Sequence, residues 1–161
     1  MSRNIIATIS QSALRHNLKQ VKSFAPGKKI IAMVKANAYG HGLPAVARTL
    51  RDVDAFGVAC MEEALVIREQ KITTPIILME GFFNDQELAL IEAFQLTTVV
   101  HSDYQVKALE AYQGDYTIPV WIKLNSAIYL HPQLCKCTVE EPKNYLFICT
   151  AKSVQPLKNH S

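Results

Sequence analysis

Short apolar runs alternate with amphipathic stretches through most of this chain, and the two kinds of segment keep a regular order. After an extended opening at residues 5–9, Ser10 stands where a helix N-cap is wanted. Residues 11–24 then carry Leu14, Leu18 and Val21 at helical spacing on one face. Pro26-Gly27 breaks the chain. Residues 29–35 (KIIAMVK) read as a strand and 43–51 as a helix. The unit returns as 55–59 (AFGVA) with 61–70 (MEEALVIREQ), as 75–80 (PIILME) with 85–94, and as 97–101 (TTVVH) with 103–112. Residues 119–125 (PVWIKLN) are the last clear strand.

Strands that alternate with helices of about ten residues imply right-handed parallel βαβ units and an α/β fold. The strands are apolar almost throughout, as expected when helices cover one side and a core fills the other. Two arrangements satisfy the pattern, an open doubly wound sheet and a closed (β/α)8 barrel. No Gly-rich phosphate fingerprint follows the first strand, which disfavours a dinucleotide-binding sheet. The repeats take up roughly the first 125 residues, half of the about 250 that a complete barrel needs. A barrel, if formed, is therefore expected to be partial.

Beyond residue 130 the rhythm stops. Residues 131–161 hold Pro132, Pro142, Pro156, three of the four cysteines and one apolar cluster at 145–148. The expected division is a partial barrel domain over 1–130 and a divergent, poorly structured tail over 131–161.

Composition narrows the function classes. The chain has 161 residues, 49% of them hydrophobic, which fits one globular core. Seventeen basic against fourteen acidic residues give +3, scattered rather than striped, so no nucleic-acid partner is expected. No apolar run reaches the about 18 residues of a membrane span, and the N-terminus lacks the apolar stretch of a signal peptide. Cys60, Cys135, Cys137 and Cys149 are unevenly spaced, so a disulfide framework is not expected and a cytoplasmic location is. His131, Cys135 and Cys137 lack a second regular pair, and no metal site is expected.

The chemical signal is the run from Met33 to Gly42, MVKANAYGHG. If the strand continues to its end, Ile31, Met33 and Lys35 share one face. Lys35 then closes an apolar stripe at the C-terminal edge, where barrel enzymes carry their chemistry. Desolvation there favours the amine over the ammonium, and a neutral amine is what Schiff-base chemistry needs. Gly40 and Gly42 let the following loop bend close to a ligand, and Tyr39 offers a phenol within reach of a phosphate. His41 and His101 read as packing or hydrogen-bonding residues.

The run VKANAYGHG resembles the lysine motif of alanine racemases, enzymes dependent on pyridoxal 5'-phosphate (PLP). Further segments are similar to the same family: FGVA at 56–59 with EEAL at 62–65, IILMEGF at 76–82, VHS at 100–102 and VWIKLNS at 120–126. The likeness runs from about residue 3 to 130. It implies a (β/α)8 barrel of the PLP-dependent racemase type, followed in the family by a β-rich C-terminal domain, and a homodimer. It also implies an isomerase that interconverts L-alanine and D-alanine for peptidoglycan. By the same resemblance Lys35 forms the aldimine with PLP and serves as one of two opposed acid-bases. Tyr39 lies near the PLP phosphate. Lys123 matches a lysine, carbamylated in many members, that orients an arginine against the cofactor's phenolic oxygen.

The likeness stops where Ala127 stands for an expected glycine and Leu130 for the expected arginine. Such a break is what a reading frame lost near residue 130 would produce. The family's later barrel strands and C-terminal domain, which carries the opposing tyrosine base, have no counterpart, so dimerisation of this chain is not expected. Two functional readings stay open at this point: an alanine racemase fragment acting through Lys35, and an inactive truncated remnant with at most weak PLP binding.

Overall fold

The computed structural model describes residues 7–123 and the backbone of one later strand, Tyr145–Cys149. Helix α1 (Gln11–Phe24) begins where Ser10 accepts a hydrogen bond from the Ala13 amide at 3.2 Å, and ends at Ala25 before Pro26-Gly27. Leu14, Leu18 and Val21 form its packed face. The strands are β1 (Lys29–Met33), β2 (Ala55–Val58), β3 (Ile76–Leu78), β4 (Thr97–Val100), β5 (Val120–Ile122) and β6 (Tyr145–Cys149). Between them lie α2 (Lys35–Gly40), α3 (Leu43–Thr49), α4 (Met61–Glu69), α5 (Gln86–Ala93) and α6 (Asp103–Ala111).

Strand order decides between the two arrangements. The sheet runs β5-β4-β3-β2-β1-β6, and every pairing is parallel. From β1 to β5 each crossover advances by one strand. A doubly wound sheet reverses its strand order in the middle. Right-handed crossovers that never reverse leave all their helices on one face, which is the winding of a (β/α)8 barrel.

The alternation of side chains sorts the core accordingly. Ile30, Ala32, Val34, Phe56, Val58, Ile76 and Leu78 point to the helices, where they meet Val46, Ala64, Ile67, Leu88 and Ile91 in one buried cluster. Each large apolar side chain buried there contributes about 1.5–3 kcal/mol, so this layer is what holds the helices on the sheet. Ile31, Met33, Ala55, Ile77 and Val99 point the other way and form a second, smaller cluster, the barrel interior. Gly57 belongs to that interior layer. A Cβ on it would stand 2.4 Å from the Met33 sulfur, so the missing side chain is the space that Met33 fills.

Three expectations need adjustment. The first strand stops at Met33 rather than at 35, because Val34 turns to φ −123°, ψ 18° and leaves the extended region. Residue 35 is therefore the first of a turn, and the two-residue alternation does not carry through to it. Within 131–161, expected to be poorly structured, the apolar cluster forms β6, with Ile30 opposite Leu146 and Ala32 opposite Ile148. An apolar segment of high β-propensity satisfies the open edge of β1 that five strands leave. The rest of that tail, with Ala127, Leu130, His131, Cys135 and Cys137, lies outside the described residues. At the opposite edge, β5 leaves Ile122 75% exposed. Among the described residues no helix is long and apolar enough to cross a membrane.

Candidate active site at the C-terminal edge of the sheet

The turn after β1 is left-handed. Ala36, Asn37, Ala38 and Tyr39 all sit near φ +53°, with ψ between 42° and 52°. For residues with a Cβ this conformation costs about 1–2 kcal/mol each, with asparagine the most tolerant of the non-glycine types. Four in a row persist only if the surroundings over-determine them. The hydrogen bonds show how. The Ala38 amide donates to the Val34 carbonyl at 2.8 Å, and the Gly42 amide to the Asn37 carbonyl at 3.1 Å. The Asn37 side-chain oxygen accepts from the Leu43 amide at 2.8 Å, and so satisfies one of the free donors that open α3. Gly42 itself takes φ +88°, open to glycine at no steric cost. Ala38, fully buried, pins the middle of the turn to the core.

Two further contacts tie the turn outward. Glu63, in the first turn of α4, accepts from the Asn37 amide at 3.2 Å through one carboxylate oxygen and from the Ala59 amide at 2.9 Å through the other. His41 lies with Nδ1 2.9 Å from the Ala38 carbonyl and 3.1 Å from that of Tyr39. Two acceptors around one ring nitrogen place the proton on Nδ1, so this imidazole is a brace for the turn.

Lys35, half-buried, heads this turn directly above the interior layer of β1. Tyr39, four residues on, packs against the interior cluster beside Met79 and Trp121. Both expected residues of the motif therefore sit at the mouth of the barrel. Lys123 follows β5 at the same edge of the sheet, its amide donating to the Val100 carbonyl at 2.9 Å. Strands β2, β3 and β4 stand between it and Lys35, which at about 4.8 Å per strand is about 19 Å along the sheet. The two lysines form no contact pair. Lys123 instead bridges to Glu80 at 3.4 Å, with the two side chains 47% and 41% exposed. Such an exposed pair contributes well under about 1 kcal/mol.

Glu80 lies in the loop after β3, which Gln105 holds. The Gln105 side-chain nitrogen donates to the carbonyls of Glu80 at 3.3 Å and Phe82 at 3.1 Å, and its oxygen accepts from the His101 amide at 2.9 Å. His101 gives its Nε2 proton to the Glu80 carbonyl at 3.0 Å. Among the described residues no cluster of His, Cys, Asp and Glu is arranged to hold a metal.

The sequence pattern did not single out Glu63, Asn37, Glu80 or Gln105. Glu63 and Gln105 each occupy the third position of a helix; Ser102 and Gln105 carry the S-x-x-Q signature of a capping box, whereas Glu63 follows Cys60, which makes no side-chain cap. What each one reaches across to is not signalled in the sequence.

The residues present fit PLP in kind. A primary amine suits its aldehyde and a phenol suits its phosphate, and the interior cluster against which Tyr39 packs is apolar.

Comparison with known proteins agrees with this geometry. The family profile "Alanine racemase, N-terminal domain" matches residues 9–128. Alanine racemase of Chromohalobacter salexigens is 53% identical over 130 residues, 80% of this chain and 36% of the relative. The biosynthetic alanine racemase of Escherichia coli is 50% identical over 121 residues, 75% of this chain and 34% of the relative. The structure of alanine racemase from Acinetobacter baumannii superposes with a TM-score of 0.71 at 40% identity, covering 76% of this chain and 37% of that one. The chain thus spans about a third of the length of the relatives it matches.

Proposed function

The chain belongs to the alanine racemase family, a PLP-dependent family, and from that premise we propose that it is the lysine-bearing part of the barrel of an alanine racemase. The reaction is the interconversion of L-alanine and D-alanine, an isomerisation that supplies D-alanine for peptidoglycan in the cytoplasm. The observation that carries the reading is the left-handed turn, which keeps Lys35 half-buried at the mouth and sets Tyr39 against the interior cluster. Backbone held that far from its relaxed form is characteristic of functional sites.

In this reading Lys35 is the covalent anchor of the cofactor. When bound, PLP supplies an electron sink that makes the Cα proton of an amino acid removable. With the cofactor held there, the Lys35 amine would be the group on this chain that takes or returns a proton on one face of the substrate. Racemisation needs a second acid-base group on the opposite face of the substrate carbon. Tyr39 would hold the cofactor's phosphate through its phenol. Lys123 orients groups on the far side of the mouth. As an ammonium it is drawn to Glu80; as a carbamate it would carry negative charge and be repelled, so that role requires the Glu80 pair to open.

Reduction with borohydride in the presence of PLP, followed by peptide mapping, tests the assignment. The label is expected on Lys35 and absent from a Lys35→Ala chain. A label on other lysines with Lys35 unmodified would overturn it.

A further inference from the structure

We propose that Glu63 is a positioning residue for Lys35, fastening the left-handed turn that carries the lysine to the end of the neighbouring strand. The proposal rests on the assignment of Lys35 as the cofactor lysine. Glu63 stands third in α4, after Cys60 at the N-cap; a capping carboxylate there takes the N-cap amide, and Oε2 of Glu63 instead accepts from Ala59, one residue earlier. Closing the helix end needs no more than that. The other oxygen leaves the helix altogether and takes the Asn37 amide, inside the turn after β1. One carboxylate therefore joins three things: the start of α4, the end of β2, and the middle of the segment that aims Lys35 and Tyr39.

The same device occurs once more in this fold, which argues that it is not incidental. Gln105 stands third in α6, caps the His101 amide with its oxygen, and reaches with its nitrogen into the loop after β3. In each case the third residue of a helix ties down the loop after the strand one repeat earlier, β1 for Glu63 and β3 for Gln105. The side chains differ in the way the chemistry requires. The loop after β3 presents carbonyls, and an amide can donate to them. The turn after β1 presents an N–H, and only an acceptor can serve both it and Ala59. A glutamine at 63 keeps the size and one acceptor oxygen, but turns a second donor toward a donor. It can hold Ala59 or Asn37, not both.

The test is Glu63→Gln in the full chain, with Glu87→Gln as the control. Glu87 lies in the first turn of the next helix and bonds only within its own loop, to the Phe83 amide and the Asn84 side chain. Amide hydrogen exchange needs no cofactor. In the unaltered chain the Asn37 amide is expected to be protected, and in Glu63→Gln its exchange rises about tenfold or more, the worth of a hydrogen bond to a charged group. Reductive trapping of PLP on Lys35 is expected to slow in Glu63→Gln and to be unchanged in Glu87→Gln, with total lysine labelling the same in both. An Asn37 amide unprotected in the unaltered chain, or unmoved by Glu63→Gln, overturns the proposal, as does trapping that slows equally in both variants or in neither. If the unaltered chain does not label Lys35, the cofactor assignment fails by itself. The exchange of Asn37 then still decides whether Glu63 fastens the turn.

Discussion

Replacing Ala36 by glycine is expected to stabilise this protein, although the same change in a helix normally does the reverse. Ala36 is exposed and has φ 52°, ψ 52°, so the substitution removes no buried contact and acts on the backbone alone. Leaving a Cβ in the left-handed region costs about 1–2 kcal/mol, which glycine escapes. Against this, the glycine chain has more freedom to lose on folding, a penalty of about 0.5–1 kcal/mol. The balance is a gain of about 0.5 kcal/mol, and the bounds of the two terms extend it from about 0 to 1.5 kcal/mol. For a chain of this size 1 kcal/mol moves Tm by about 2–4 °C, so a rise of about 1–2 °C is expected. Ala89→Gly is the internal control. Ala89 is also exposed but lies inside α5, where glycine costs about 1 kcal/mol and Tm should fall by about 2–4 °C. Thermal unfolding followed by circular dichroism, with the two variants side by side, reads the opposite signs directly. If Ala36→Gly lowers Tm as far as Ala89→Gly does, residue 36 is in right-handed backbone, and the account of the lysine turn is wrong.

Arg68 donates to the carbonyls of Ile72 and Thr74, both at 2.8 Å, and of Phe94 at 3.2 Å, and burial pulls its guanidinium below its usual range. Arg68→Met is expected to cost about 2–4 kcal/mol by orphaning part-buried acceptors, measured by urea denaturation; a loss under about 0.5 kcal/mol would refute the bracing role. Gly57→Ala places a methyl against Met33 in the interior layer and is expected to destabilise by about 1–3 kcal/mol, with Met33→Ala in the same chain restoring part of the loss. Burial, then the hydrogen bond to Glu62, pushes the Cys60 thiol up, so less thiolate is present near pH 8 than in a free cysteine. Its alkylation by iodoacetamide should lag a cysteine peptide at pH 8 and approach it as pH rises; a faster rate at pH 8 would contradict the direction. Lys123→Ala is expected to change stability by less than about 1 kcal/mol, because its partner Glu80 is also exposed.

Much of this architecture was legible without coordinates. Helix α1 runs from Gln11 to Phe24 as its Ser10 cap, its Leu14, Leu18 and Val21 spacing and Pro26-Gly27 require. These are local signals, decided within a few residues of one another. The parallel barrel arc follows from repetition of one unit, and the lysine motif identified the family from contiguous residues. The limits appear wherever a partner is distant in sequence. Residues 29–35 look like a continuous strand, yet the chain turns left-handed after Val34, because contacts from Leu43 and Glu63 compensate a conformation that Ala36-Asn37-Ala38-Tyr39 alone would avoid. Lys123 shows the same limit, since nothing near it in the sequence points to Glu80, from two strands earlier, with which its ammonium pairs. Alternation along a strand can name which residues share a face, since that depends only on backbone geometry. Where a side chain or a strained turn comes to rest depends on hydrogen bonds between segments 26 and 43 residues apart, and those exist only once the sheet has brought its loops to one edge.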